Sequence, residues 1–109
     1  FEDRMLADIG MPREIAMRHR PPHFLHVFAG SGYAAGYYSY MWSEVLDADA
    51  FQAFLDNGDI FDPATAGKLH EYIYGAGGTR RGRDAYLAFR GRLPSVEGLL
   101  RQRGLSAVA

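Results

Sequence analysis

The stretch GSGYAAGYYSYMWSEVLDADAF, Gly30 to Phe51, decides how the rest of the chain is read. It joins a glycine-rich lead-in to four tyrosines and an acidic tail. With Gly32 taken as a hinge and helical angles counted from Tyr33 at about 100° per residue, Tyr37, Tyr40 and Glu44 fall within about 40° of one line. Three phenols and a carboxylate thus share a stripe. Tyr38, Met41, Trp42 and Val45 fall on another side and form an apolar face available for burial. Gly30, Ser31 and Gly32 carry little bulk, so the backbone there can take positive φ and approach a ligand or another chain closely. A mobile loop leading into a tyrosine-lined helix reads as a substrate clamp. The same pattern also suits half-buried tyrosines behind an ordinary turn, because periodicity by itself carries no chemistry.

Upstream of this stretch, Phe1, Met5, Leu6 and Ile9 have helical spacing and Gly10 is a natural stop. Met11 to Arg18 is a candidate second short helix, with Pro12 tolerated in its first turn. Arg20-Pro21-Pro22 breaks any helix. The alternation of aromatic and β-branched residues from His23 to Phe28 predicts a short extended segment. Downstream, Asp56-Asn57-Gly58-Asp59 is a turn, and Asp62 caps a helix that begins at Pro63 and runs to about Tyr74. Gly75 to Gly78 ends it. A short helix over Asp84 to Phe89, a turn at Gly91 to Pro94 and a last helix from Ser95 to Arg103, closed by Gly104, complete the chain. Five or six helices with short connections predict an all-α fold, a small helical domain with a glycine-rich loop before its central helix.

The composition bounds the function. At 109 residues the chain is long enough for one domain with a modest core. Apolar residues make up 48% and charged residues 23%, the balance of a soluble globular protein. No apolar run approaches the roughly 20 residues that a membrane span needs, and no signal peptide opens the chain. Cysteine is absent, which fits a reducing compartment, so a soluble, cytoplasmic protein without membrane association is expected. Residues 1 to 62 hold 4 basic and 10 acidic side chains, and residues 63 to 109 hold 8 basic and 3 acidic. The two halves should attract each other. The arginines are therefore explained by acidic neighbours within the fold, and nucleic acid is not an expected partner.

The four histidines do not make a metal site. His19 and His23 are separated by Pro21 and Pro22, so no helix brings both to one face. His70-Glu71 opens like HExxH, yet Tyr74 stands where the second histidine belongs. His26 is a single histidine in the aromatic segment before the glycine loop, a position that suits packing as well as function. There is no GxSxG elbow and no GxxxxGK, and GSG at 30 to 32 does not continue into GxGxxG. Read strictly, the chain holds no complete catalytic machine.

The residues HFLHVFAGSGYAAGYYSYMWSEVLDADAF, with AYLAFRGRLP and LLRQRGL following in order, resemble the C-terminal part of the thimet oligopeptidase family of zinc metallopeptidases, nearest its bacterial peptidyl-dipeptidase and oligopeptidase A branch. The resemblance covers roughly Phe1 to Leu105. It implies a hydrolase whose zinc is held by an HExxH helix and a further glutamate, both upstream of the matching segment and absent here. Zinc would thus belong to the full-length parent, with no metal bound by residues 1–109, which are expected to be the C-terminal segment of the peptidase catalytic domain. The opening in mid-helix, without a start methionine, is in keeping with a cut chain. By the same resemblance, Tyr40 corresponds to the tyrosine that polarises the scissile carbonyl and stabilises the tetrahedral oxyanion. His26 corresponds to the histidine that assists the same transition state. Tyr33 and Tyr37 correspond to substrate-channel tyrosines, and Gly30, Ser31 and Gly32 to the loop that closes over bound peptide. The parent would cleave short peptides by metal-assisted hydrolysis, and the segment alone is expected to be inactive. Its partners would be peptide substrates and the remainder of the parent, and its exposed apolar faces would drive self-association. The alternative is a non-catalytic helical module that binds peptides without cutting them.

Overall fold

A computed structural model describes residues 1–105. Every regular element among the described residues is helical, as the periodicity predicts. The chain divides into two compact units, Phe1–Tyr37 and Tyr38–Ala109.

In the first unit, α1 (Glu2–Asp8) ends where Gly10 takes φ +76°, the left-handed conformation that closes a helix. The helix expected over Met11 to Arg18 is absent. Only a turn forms there, with the Ile15 N–H donating to Pro12 O at 3.1 Å. Ile15 and Met17 stay exposed, so nothing offsets the cost of propagating a short helix. The predicted extended segment is also overturned: Pro21–His23 is a 3₁₀ turn and α2 spans Leu25–Phe28. A lone strand would leave its backbone groups unpaired, whereas the helical turns satisfy them locally. The His23 N–H donates to Arg20 O at 2.9 Å, and the Ala29 N–H to Leu25 O at 2.8 Å. An Arg20–Glu2 ion pair ties this segment back to α1.

The second unit is built on α3 (Ser39–Asn57), which begins six residues later than the tyrosine spacing suggests. Gly32 and Gly36 would both fall in or beside the missing turns, where glycine weakens a helix by about 1 kcal/mol each. The expected stripe therefore divides. Tyr40 and Glu44 share a face of α3, while Tyr33 and Tyr37 precede the helix. Gly58 at φ +76° stops α3, and the Asp62 carboxylate caps α4 (Pro63–Leu69) by accepting the Thr65 N–H at 2.7 Å. The chain continues through a π-helical turn, His70–Tyr74, as far as the expected end. Then come α5 (Gly82–Arg90), closed by Gly91 at φ +76°, and α6 (Glu97–Gln102).

The core of this unit is small. It comprises Ala48, Ala76, Ala85, Tyr86, Phe89 and Leu99. Of the face expected to be buried on α3, Val45 is half-buried, but Trp42 is 59% exposed and Tyr38 and Met41 are likewise exposed. Burial on α3 centres on Ala48 and Asp49, because α6 crosses there at close range. A Cβ on Gly98 would lie 2.9 Å from Ala48 O, so the crossing depends on glycine. The expected attraction between acidic and basic halves is realised along α3: Arg103 Nη2 lies 2.6 Å from Glu44, Arg92 Nη2 2.8 Å from Asp49, and Arg90 Nη2 2.6 Å from Asp56. Among the described residues, no helix is long and apolar enough to cross a membrane.

Candidate active site

The 3₁₀ turn and α2 carry Phe24 and His26 towards the tyrosines of the following loop, and four rings meet. The His26 ring centroid is 5.8 Å from that of Tyr33 and 5.4 Å from that of Tyr37, and the two tyrosine rings are 5.5 Å apart. Phe24 lies 4.5 Å from Tyr37 and 5.7 Å from His26. All these pairs are edge-to-face, the arrangement that aromatic quadrupoles favour. His19 tilts against Phe24 at 4.9 Å. The ring cluster, not a helical stripe, brings Tyr33 and Tyr37 together, and it adds His26 to them.

Beside it lies an open hollow of about 290 Å³, lined by Leu25, His26, Ala29, Gly30, Gly32 and Tyr33. Gly30 and Gly32 thus share a wall with the predicted histidine, while Ser31 is exposed between them. Neither glycine has positive φ, and a Cβ at either would meet nothing within 4 Å. Within the same loop, a Cβ on Gly36 would lie 3.2 Å from Gly32 O, so the chain turns tightly there. The hollow thus has one imidazole and one phenol on its wall, both able to hydrogen-bond, and otherwise residues of low polarity.

Tyr40 belongs to the second unit, in the first turn of α3, with 57% of its surface exposed. One turn further on, Glu44 is held by Arg103. Nine residues along from Tyr40, Asp49 is 2% exposed and is the centre of a polar network. Its Oδ2 accepts the Tyr86 hydroxyl at 2.7 Å, and its Oδ1 accepts the Ser95 N–H at 3.1 Å and pairs with Arg92. The Tyr86 hydroxyl also lies 3.3 Å from Leu46 O, one turn back along α3. Burial pushes the Asp49 carboxyl up, but the bonds from Tyr86, Arg92 and Ser95 outweigh it and hold the group below the usual carboxylate range. Burial and the hydrogen bond to Asp49 push the Tyr86 phenol up. The sequence offers little sign of this network beyond the alanines flanking Asp49, which mark a crowded point on the helix.

Among the described residues, no group of three or more histidine, aspartate or glutamate side chains is placed to hold a metal ion. They therefore do not fit the zinc site that the resemblance assigns to the parent.

Residues 3–105 match the model of peptidase family M3. The chain is 48% identical to oligopeptidase A of Haemophilus influenzae over 87 residues, which are 79% of this chain and 12% of that protein. It is 51% identical to a probable cytosolic oligopeptidase A of Arabidopsis thaliana over 89 residues, 79% of this chain and 13% of the relative. It is 34% identical to the dipeptidyl carboxypeptidase of Salmonella typhimurium over 107 residues, 96% of this chain and 15% of the relative. The chain thus spans 12 to 15% of the length of these curated relatives. With nearly its whole described length matched, the chain belongs to peptidase family M3.

Proposed function

We propose that this chain supplies the substrate-binding and oxyanion-stabilising residues of a larger zinc-dependent oligopeptidase that cleaves short peptides. The observation that carries the reading is the meeting of His26, Tyr33 and Tyr37 beside a glycine-lined hollow in a member of this peptidase family. Tyr33 and Tyr37 bind and orient the peptide, and the loop Gly30-Ser31-Gly32 folds over it and excludes water. When water attacks the scissile carbonyl, its oxygen gains negative charge. The Tyr40 hydroxyl and the His26 ring donate hydrogen bonds to that oxyanion, and a preorganised donor stabilises it more than the neutral carbonyl. The described residues supply no metal site, so the chain alone is inactive in this reading. A cysteine-free chain is compatible with a reducing, cytoplasmic location.

The test is hydrolysis of quenched fluorescent peptides by the full-length, zinc-loaded peptidase, with and without Tyr40→Phe and His26→Ala. Each change is expected to lower kcat by about 10² to 10³. Unchanged rates would reduce the aromatic cluster to packing. Peptide binding without cleavage by the unmutated full-length protein would transfer the chain to a non-catalytic binding role.

A further inference from the structure

We propose that Asp49 and its partners Tyr86 and Arg92 form a positioning device that sets the placement of α3, and through it the Tyr40 hydroxyl. The inference rests on the reading of Tyr40 as an oxyanion donor. α3 has 19 residues, with Tyr40 in its first turn. At that end Tyr40, Met41 and Trp42 are exposed, whereas burial on α3 centres on Ala48 and Asp49. The helix is gripped further along. Asp49 receives a phenol from α5, a guanidinium from Arg92 and the backbone N–H of Ser95, so three separately placed donors converge on one carboxylate.

Two further contacts make the grip directional. The Tyr86 hydroxyl, which donates its one proton to Asp49, also lies 3.3 Å from Leu46 O, so it sits against α3 at two points one turn apart. At the neighbouring residue, α6 crosses so close that a Cβ on Gly98 would lie 2.9 Å from Ala48 O, which fixes the spacing of the two helices. Nine residues of helix, about 13.5 Å at 1.5 Å per residue, separate this clamp from Tyr40, and a continuous helix transmits a shift over that length. An oxyanion donor is sensitive to such a shift, because a displacement of about 1 Å can cost up to 10²-fold in rate. Burying a carboxylate at this point costs solvation that an apolar contact would not. The directional bonds it accepts fix an orientation that non-directional packing leaves loose.

The experiment uses the full-length, zinc-loaded peptidase and a double-mutant cycle between the clamp and Tyr40. Tyr86→Phe removes one hydroxyl at nearly constant shape, and Asp49→Asn keeps the volume while weakening all three bonds. Both are expected to lower kcat by about tenfold with KM unchanged, and to have no further effect when Tyr40 is already phenylalanine. Asn57→Ala, at the far end of α3, is the control, since it loosens the helix through its bonds to Asp62 and Thr65 and should lower Tm without lowering kcat. Tyr86→Phe that lowers Tm and leaves kcat intact overturns the proposal, as does a loss that persists undiminished in the Tyr40→Phe background. If Asp49→Asn does not fold, Tyr86→Phe decides the matter. A Tyr40→Phe enzyme of full activity sinks the oxyanion reading instead, so the two failures are told apart.

Discussion

At Asp49 an ionised group sits almost wholly out of water, with Tyr86, Ser95 and Arg92 bonded to it and Arg90 Nε 3.5 Å away. The chemistry of the cluster sets its pH dependence. Asp49 binds its proton less readily in the folded chain, so its contribution to stability is present above the unfolded value of about 4 and lost as pH falls through the lower folded value. Tyr86 runs the other way. Its folded value is raised, so its contribution is complete below about pH 10 and declines as pH rises further. Urea midpoints measured across pH should form a plateau that falls at both ends. Tyr86→Phe should flatten the alkaline limb and weaken the acid limb too, since its hydroxyl is foremost among the bonds that lower Asp49; an unchanged alkaline limb would show that this phenol does not titrate with unfolding.

Among the elements, the helix crossing at Gly98 and the open surface of α4 make opposite predictions for one kind of substitution. Gly98→Ala puts a methyl group 2.9 Å from Ala48 O, a backbone atom that cannot move alone. The helices must separate, at a cost of about 1–3 kcal/mol. Gly67 lies inside α4 with nothing within 4 Å of a Cβ, so Gly67→Ala should stabilise by about 0.5–1 kcal/mol through helix propensity. Chemical denaturation of the two variants tests both signs. The elements that the sequence reveals are those ended by local rules: Gly10, Gly58, Gly91 and Gly104 all take positive φ, and Asp62 caps α4 ahead of Pro63. The errors fall where local rules compete. His23 to Phe28 has strand-like residues and no strand to pair with, and Tyr33 to Tyr38 has helical spacing interrupted by Gly36.

On the scale of the whole molecule, the small core is matched by a large apolar exterior. Trp42, Phe61 and Tyr74 are exposed in the second unit, and Leu25 and Phe28 in the first. Such surfaces associate when nothing else covers them. Sedimentation of the isolated 109-residue chain is expected to show a dimer or larger species that shifts towards monomer on Trp42→Glu. A monomer at every concentration would remove exposed apolar surface as a driving force. The same openness on Tyr38, Met41 and Trp42 explains why an apolar stripe read from periodicity is not a buried one. Periodicity locates a face, whereas burial requires another element to cover it.

The amino-acid order by itself determined the all-helical character, most helix ends, the opposite charge of the two halves and the residues that mark the peptidase family, because each depends on neighbours in the chain or on composition. Helical spacing grouped Tyr33 and Tyr37 with Tyr40, and His26 was named only by the family resemblance. Only the tertiary structure decided that His26, Tyr33 and Tyr37 meet through edge-to-face rings in a turn, with Phe24 among them, and that α3 begins after them. It alone revealed Asp49, whose partners lie 37, 43 and 46 positions further along the chain. Local propensity carries no information over such separations; a buried carboxylate and its donors are specified by how the helices pack.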